Sequence, residues 1–143
     1  MHRTRVSPSV RSKLLTVAHP ISEPKGTILF HRNDPASGIF LICKGRVALK
    51  LEVEQHGESA LNRIVARDSI LGLPGTLASG QYSLTAVAIE DSEVAFVDRA
   101  SLLELMKTDN SELGLELIRL LGEEVIRIRE VLSSAPRLRG CRR

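Results

Sequence analysis

The sequence predicts a mainly β unit followed by a long helix, and three observations carry that expectation. Short apolar runs recur at intervals of about ten residues between Pro20 and Asp98. Turn-forming residues stand between those runs. Beyond Asp98 the apolar period changes from that of strands to that of helices, and the last helical stripe is long.

The elements follow in order. Val6 to His19 holds Val10, Leu14, Leu15, Val17 and Ala18, with Ser7 or Ser9 to cap and Pro8 near the first turn, so it reads as a short amphipathic helix ended by Pro20. The strand runs are Thr27–Phe30, Gly38–Cys43, Val47–Val53, Leu61–Ala66, Ile70–Leu73, Leu84–Ile89 and Val94–Val97. Between them stand Lys25-Gly26, Asn33-Asp34-Pro35, Lys44-Gly45, His56-Gly57 and Ser79-Gly80, which favour turns. Val47, Leu49, Leu51 and Val53 alternate with Ala48, Lys50, Glu52 and Glu54, the pattern of a strand with one face in a core and one in water. A hairpin over Gly45–Ala66, turning at His56-Gly57-Glu58, is the firmest local expectation.

Ala100–Lys107 reads as a short helix and Ser111–Ser134 as a long one, capped by Ser111 and followed by Pro136. Gly114, Ile118, Leu121, Val125, Ile128 and Leu132 fall at spacings of four and three, a coiled-coil seam for a second copy of the chain. Leu113, Leu117 and Leu120 widen the stripe, so the helix is expected to pack on its own β unit as well.

Composition sets the bounds. A chain of 143 residues with 43% hydrophobic content fits one core, and with 3% aromatics and no Trp that core is expected to rest on Leu, Ile, Val and Ala. Stacking of nucleic-acid bases on aromatic platforms is not expected on the same count. The net charge of +3 hides an acidic middle between basic ends: residues 1–13 carry Arg3, Arg5, Arg11 and Lys13 with no acid, and residues 127–143 carry six Arg against Glu130. Cys43 and Cys141 are too few for a disulfide framework or a thiolate metal site, which fits a reducing, cytoplasmic setting. No apolar stretch reaches the ~20 residues that span a bilayer, so no membrane partner is expected.

Three phrases in this order resemble the β-roll of cyclic-nucleotide-binding domains, above all the Crp/Fnr transcriptional regulators: Pro24-Lys25-Gly26-Thr27-Ile28-Leu29-Phe30, then Gly38-Ile39-Phe40-Leu41-Ile42-Cys43-Lys44-Gly45-Arg46-Val47, then Thr85-Ala86-Val87-Ala88-Ile89-Glu90-Asp91-Ser92-Glu93-Val94. The resemblance covers roughly residues 12–132. It implies an eight-stranded, jelly-roll-like β-roll with flanking helices, joined as a homodimer through the long C-terminal helix. The expected sensor domain is residues 1–134 with its dimerisation helix at about 111–134, and 135–143 form a basic, disordered tail. A helix-turn-helix of about seventy residues follows the long helix in such regulators, and nine residues cannot make one, so no specific DNA binding is expected of this chain.

By the same resemblance a ligand lies between roll and long helix, held by the segment Gly72 to Ser83; the pocket candidates are Gly72, Leu73, Pro74, Gly75, Tyr82, Ser83 and Thr85. The segment departs from nucleotide binders at two places. Leu73 stands where a Glu holds the ribose hydroxyl, and Tyr82 stands where an Arg pairs with the cyclic phosphate. A neutral phenol does not replace a charge-assisted bidentate contact. Cyclic AMP and cyclic GMP are therefore expected not to bind, and any effector is a small molecule of another kind. Tyr82 is read as a core residue that closes the emptied pocket, and Ser83 and Thr85 as strand residues or hydroxyl donors.

The remaining chemistries are weaker. His2, His19, His31 and His56 do not cluster, so no metal or cofactor is expected. Glu123-Glu124 and the Glu52/Glu54 pair read as solvated charges rather than an acid–base pair, and no nucleophile elbow or phosphate-binding glycine loop occurs, so the chain is not read as an enzyme. The competing reading is a dimerisation or protein-interaction module whose pocket is filled by Leu73, Leu77 and Tyr82; a small metal-dependent β-barrel enzyme comes last.

Overall fold

The computed structural model describes the backbone of residues 5–53, 58–108 and 112–134, and the side chains of 5–51, 63–108 and 112–126. Five expectations lie outside those residues: the solvated charges Glu52 and Glu54, the turn at His56-Gly57, the cap at Ser111, the side chains of Ile128 and Leu132, and the tail 135–143.

Eight strands form two antiparallel four-stranded sheets: β1 (His19–Glu23), β2 (Ile28–Phe30), β3 (Gly38–Lys44), β4 (Val47–Val53), β5 (Glu58–Val65), β6 (Ile70–Leu71), β7 (Thr85–Ala88) and β8 (Ser92–Asp98). One sheet runs β1-β8-β3-β6 and the other β2-β7-β4-β5. The helices are α1 (Pro8–Leu15), α2 (Leu73–Leu77), α3 (Arg99–Thr108) and α4 (Glu112–Ser134). This is the jelly-roll with a long C-terminal helix that the sequence implied. The hairpin of β4 with β5 holds the register Val47↔Val65 to Val53↔Glu58, with an irregularity between Leu51 and Glu52.

Two expectations change. The first helix is Pro8–Leu15 rather than Val6–His19, with the Ser7 side chain accepting from the Val10 amide. His19–Glu23, read as the end of that helix and a proline stop, is instead a strand. Pro20 is tolerated there because β1 is an edge, paired on one side only with β8, so the missing N–H breaks no ladder bond on the other side. The aromatic residues also count for more than their number suggests. Phe30, Phe40, Phe96 and Tyr82 are all the rings the chain has, and they gather inside the roll, with Tyr82 stacked on Phe30 at 3.9 Å and Phe40 at 5.6 Å from Phe30 and 4.9 Å from Phe96.

Two cores share strand β3. Phe40 and Ile42 point between the sheets with Phe30, Val47, Leu49, Leu71 and Ala86. Ile39 and Leu41 point the other way, under Val10 and Leu14 of α1, Leu102 of α3 and Leu113, Leu117 and Leu120 of α4. The leucines that widened the long helix's stripe are thus its anchor on the roll. Gly38, at the start of β3, is required by packing rather than by a turn: a Cβ there would lie 2.4 Å from the Val97 carbonyl oxygen.

Candidate functional site

The segment after β6 is shaped by Gly72, whose φ of +83° admits glycine readily and other residues only with strain. A Cβ at Gly72 would also meet the Tyr82 ring at 2.6 Å, so glycine and ring are fitted to one another. The chain then makes the single turn of α2 and comes back on itself, the Gly80 amide donating to the Gly75 carbonyl at 2.8 Å. The loop after β2 laces it down: Ala36 N–H to Gly80 C=O at 2.9 Å, Tyr82 N–H to Asp34 C=O at 2.9 Å, and Asn33 N–H to Tyr82 C=O at 2.8 Å. Pro74 in the first turn of α2 supplies no N–H, which removes one of the donors an anion would need there.

A cavity of about 40 Å³ lies between this segment, the roll and α4. Of the sequence-derived pocket residues, Gly72, Leu73, Pro74, Gly75 and Ser83 line it. Tyr82 and Thr85 do not. The Tyr82 ring is buried in the roll, and its hydroxyl donates to the Gly38 carbonyl at 2.7 Å. Thr85 is buried and its hydroxyl oxygen accepts from the Arg32 amide at 2.9 Å. Leu73 is itself buried against the helix-side core, which is why so little space is left. A cavity of that size holds a water molecule or two but lies far below the roughly 300 Å³ at which small-molecule sites begin.

Sequence reading missed the charged wall of this cavity. Arg63 of β5 reaches Glu124 of α4, with Nη2 3.1 Å from Oε1 and 3.5 Å from Oε2, and both side chains are largely buried at 15% and 16% exposure. Both line the cavity, beside Leu120 and Leu121 of the same helix. Glu124 is therefore not a solvated charge, and neither is Glu123, whose carboxylate meets Arg119 at 2.9 Å. The signal available in the sequence was an arginine inside the apolar run Leu61–Ala66. Nothing in a single sequence says which helix residue answers it.

Elsewhere the chemistry is sparse. Burial pushes the Cys43 thiol above its ordinary range against the opposing pull of Arg11 and Arg67, which disfavours the nucleophilic thiolate. Among the described residues no group of His, Cys, Asp and Glu is arranged to hold a metal ion, and no helix is long and apolar enough to cross a membrane. On α4, Ile118 and Val125 of the expected seam are 64% and 57% exposed, while Gly114 and Leu121 are half-buried. Leu115 and Ile126 extend the exposed apolar face.

Comparison with solved structures finds this architecture repeatedly. The catabolite activator protein of Thermus thermophilus superposes with a TM-score of 0.69 at 24% identity, over 87% of this chain and 56% of its own. A transcriptional regulator of Thermotoga maritima gives 0.72 at 22%, over 85% and 94%. The c-di-GMP responsive global regulator CLP of Xanthomonas campestris gives 0.71 at 18%, over 88% and 59%. The chain thus spans little more than half the length of the first and third. At these identities the likeness is one of fold. No curated protein sequence matches the chain. The sequence profile of the cyclic nucleotide-binding domain, however, matches residues 21–109, more than half of the chain and the roll from within β1 to beyond α3, and the chain belongs to that family.

Proposed function

We propose that the chain is the regulatory domain of a Crp/Fnr-like transcriptional regulator, does not respond to cyclic AMP or cyclic GMP, is not an enzyme, and works in the cytoplasm as a homodimer. The observation that carries the ligand part is the position of Tyr82. At the place the resemblance reserves for the phosphate's arginine stands a ring turned into the roll and tied to Gly38, so no cation of the segment faces the cavity. Bringing an anion there costs its hydration with no new ion pair in return. Titration calorimetry of the full chain with cyclic AMP and with cyclic GMP should show no saturable heat below about millimolar ligand, where binding free energy is only ~4 kcal/mol. Micromolar binding by the wild type would refute the reading.

The dimer reading rests on the face of α4 turned away from the roll, where Leu115, Ile118, Val125 and Ile126 are exposed on one helix. The proposed domain is residues 1–134, with 135–143 as a basic tail outside it, and the partner is a second copy. Sedimentation at tens of micromolar should give a dimer for the wild type and a monomer for Ile118→Glu with Val125→Glu; a wild-type monomer would sink the idea. A second reading, a dimerisation or protein-interaction module with no effector, is favoured by the small cavity and by Leu73 filling its floor.

A further inference from the structure

The outer face of the β2-β7-β4-β5 sheet carries one line of apolar residues that crosses all four strands. Ile28 of β2 lies opposite Val87 of β7, Val87 opposite Ala48 of β4, and Ala48 opposite Ile64 of β5. Ile28 and Ile64 at the two ends are exposed and Val87 is half-buried, while Ala48, the smallest of the four, is buried between its neighbours and forms a dip. Two residues along β4 on the same face stands Lys50, paired across the sheet with Thr85, whose hydroxyl oxygen accepts from the amide of the exposed Arg32. Neither Lys50 nor Arg32 has an ion pair among the described residues. At the other end of β4, Arg46 is already matched by Glu90 at 3.4 Å. The apolar line is thus bordered by uncompensated positive charge on one side only.

We propose that this face docks an acidic amphipathic helix of another protein, with the helix's apolar stripe on Ile28, Val87, Ala48 and Ile64 and its carboxylates over Lys50 and Arg32. The surface shares no residue with the cavity or with the exposed face of α4, so it stands apart from both. Spacing selects a helix. Neighbouring strands stand ~4.8 Å apart, so four residues in line span about 14 Å. Side chains along one stripe of a helix recur every ~5–6 Å and keep step with the strands, and about ten helical residues cover the length. An extended segment repeats on one face every ~6.7 Å and falls out of step. The dip at Ala48 receives one larger side chain of the stripe. Charge selects the partner's sign and its orientation on the line. Residues 135–143 of this chain carry four Arg and no acid, so they have the wrong sign. A lipid surface suits the line poorly, since it lies flat in a sheet and holds no aromatic ring for the headgroup layer.

The test uses the full chain and two synthetic helical peptides of about fifteen residues, each with one leucine stripe, one bearing glutamates along a single side of the stripe and its twin bearing lysines there. The glutamate peptide should shift the amide resonances of Ile28, Ala48, Lys50, Ile64 and Val87, and the lysine twin should bind at least about tenfold more weakly by fluorescence anisotropy. Ile64→Thr, and Ala48→Leu, which fills the dip, should each weaken the glutamate peptide by about tenfold. Lys50→Glu with Arg32→Glu should invert the preference between the peptides. Should that double variant fail to fold, the wild type decides through salt, added sodium chloride weakening the glutamate peptide and not the lysine twin. Equal affinity for both peptides would overturn the proposal. So would amide shifts confined to α4, or binding that Ile118→Glu abolishes and Ile64→Thr leaves intact. Phosphatidylglycerol vesicles that sediment the wild type but not Ile64→Thr would replace the helix by a lipid surface, and an oligomer lost in Ile64→Thr would replace it by a second copy of the chain; either result overturns the proposal.

Discussion

The two sheets are built from similar residues and live in different surroundings. In the β1-β8-β3-β6 sheet the two central strands, β8 and β3, feed both cores, the roll's interior on one side and the layer under α1, α3 and α4 on the other, while the edge strand β1 is exposed. The β2-β7-β4-β5 sheet has the roll on one face, and on the other its isoleucines reach water: Ile64 is 53% exposed and Ile28 44%. The sequence of each strand records the difference. β3, GIFLICK, is buried at every position from Gly38 to Ile42, whereas β4, VALKLEV, sets Lys50 and Glu52 between its apolar residues. A continuous apolar run thus marks a strand that serves two cores, and an alternating one marks a strand that serves one.

A matched pair of substitutions breaks this comparison most directly. Ile39 on the helix-covered face is fully buried, so Ile39→Thr removes packed methylene groups and buries a hydroxyl, at about 3 kcal/mol. Ile64→Thr keeps a β-branched residue on a wet face and should change stability by less than about 0.5 kcal/mol. Urea unfolding of both variants measures the contrast. Equal losses would mean that the outer face of the second sheet is covered after all.

A middle-sized effect tests the join between the sheets. Tyr82 precedes β7 of the open sheet, and its hydroxyl crosses to Gly38, the first residue of β3 in the covered one. Tyr82→Phe keeps the stacking on Phe30 and deletes the donor, which should cost about 1.5 kcal/mol in urea unfolding at neutral pH. A cost near zero would show that the hydroxyl's bond across the roll adds nothing to stability.

These residues also show what a single sequence yields. Periodicity and turn chemistry located seven of the eight strands and both C-terminal helices, because each is a local signal. β1 was hidden because His19-Pro20-Ile21-Ser22-Glu23 has neither alternation nor branched residues in number, and its pairing with β8 crosses most of the chain. The segment Gly72–Ser83 was legible as a site through its glycines and its order among the strands. Tyr82 was legible as a core residue, but the partner of its hydroxyl was not, since that depends on the space above Gly72 and on the Gly38 carbonyl. Arg63 with Glu124 was invisible for the same reason, the two being 61 positions apart and joined only by the fold.

The smallest expected effect concerns how the covered sheet keeps its cover. β8 ends at Asp98, and α3, which lays Leu102 on that sheet, begins at the next residue. Asp98 caps the helix: its Oδ2 accepts from the Ser101 amide at 3.1 Å and its Oδ1 from the Ser101 hydroxyl at 2.8 Å. These bonds hold the Asp98 carboxyl below its ordinary range, the Ser101 hydroxyl contributing most. A carboxyl whose pKa is lower folded than unfolded adds stability that is fully present above the unfolded value, near ~3.9, and is lost as pH falls through the folded one. At pH 7 Asp98→Ala should therefore cost about 1 kcal/mol, and Asp98→Asn, which still presents an oxygen to the Ser101 amide, should cost less. Below the carboxylate range the gap between wild type and Asp98→Asn should close, while the gap between Asn and Ala stays constant, because neither of those side chains titrates. Comparing differences between variants cancels the protonation of every other acid in the chain. Urea unfolding of the three proteins at neutral pH and near pH 3 reads the outcome, and a gap between wild type and Asp98→Asn that is the same at both would show that the charge of Asp98 does nothing for the helix it caps.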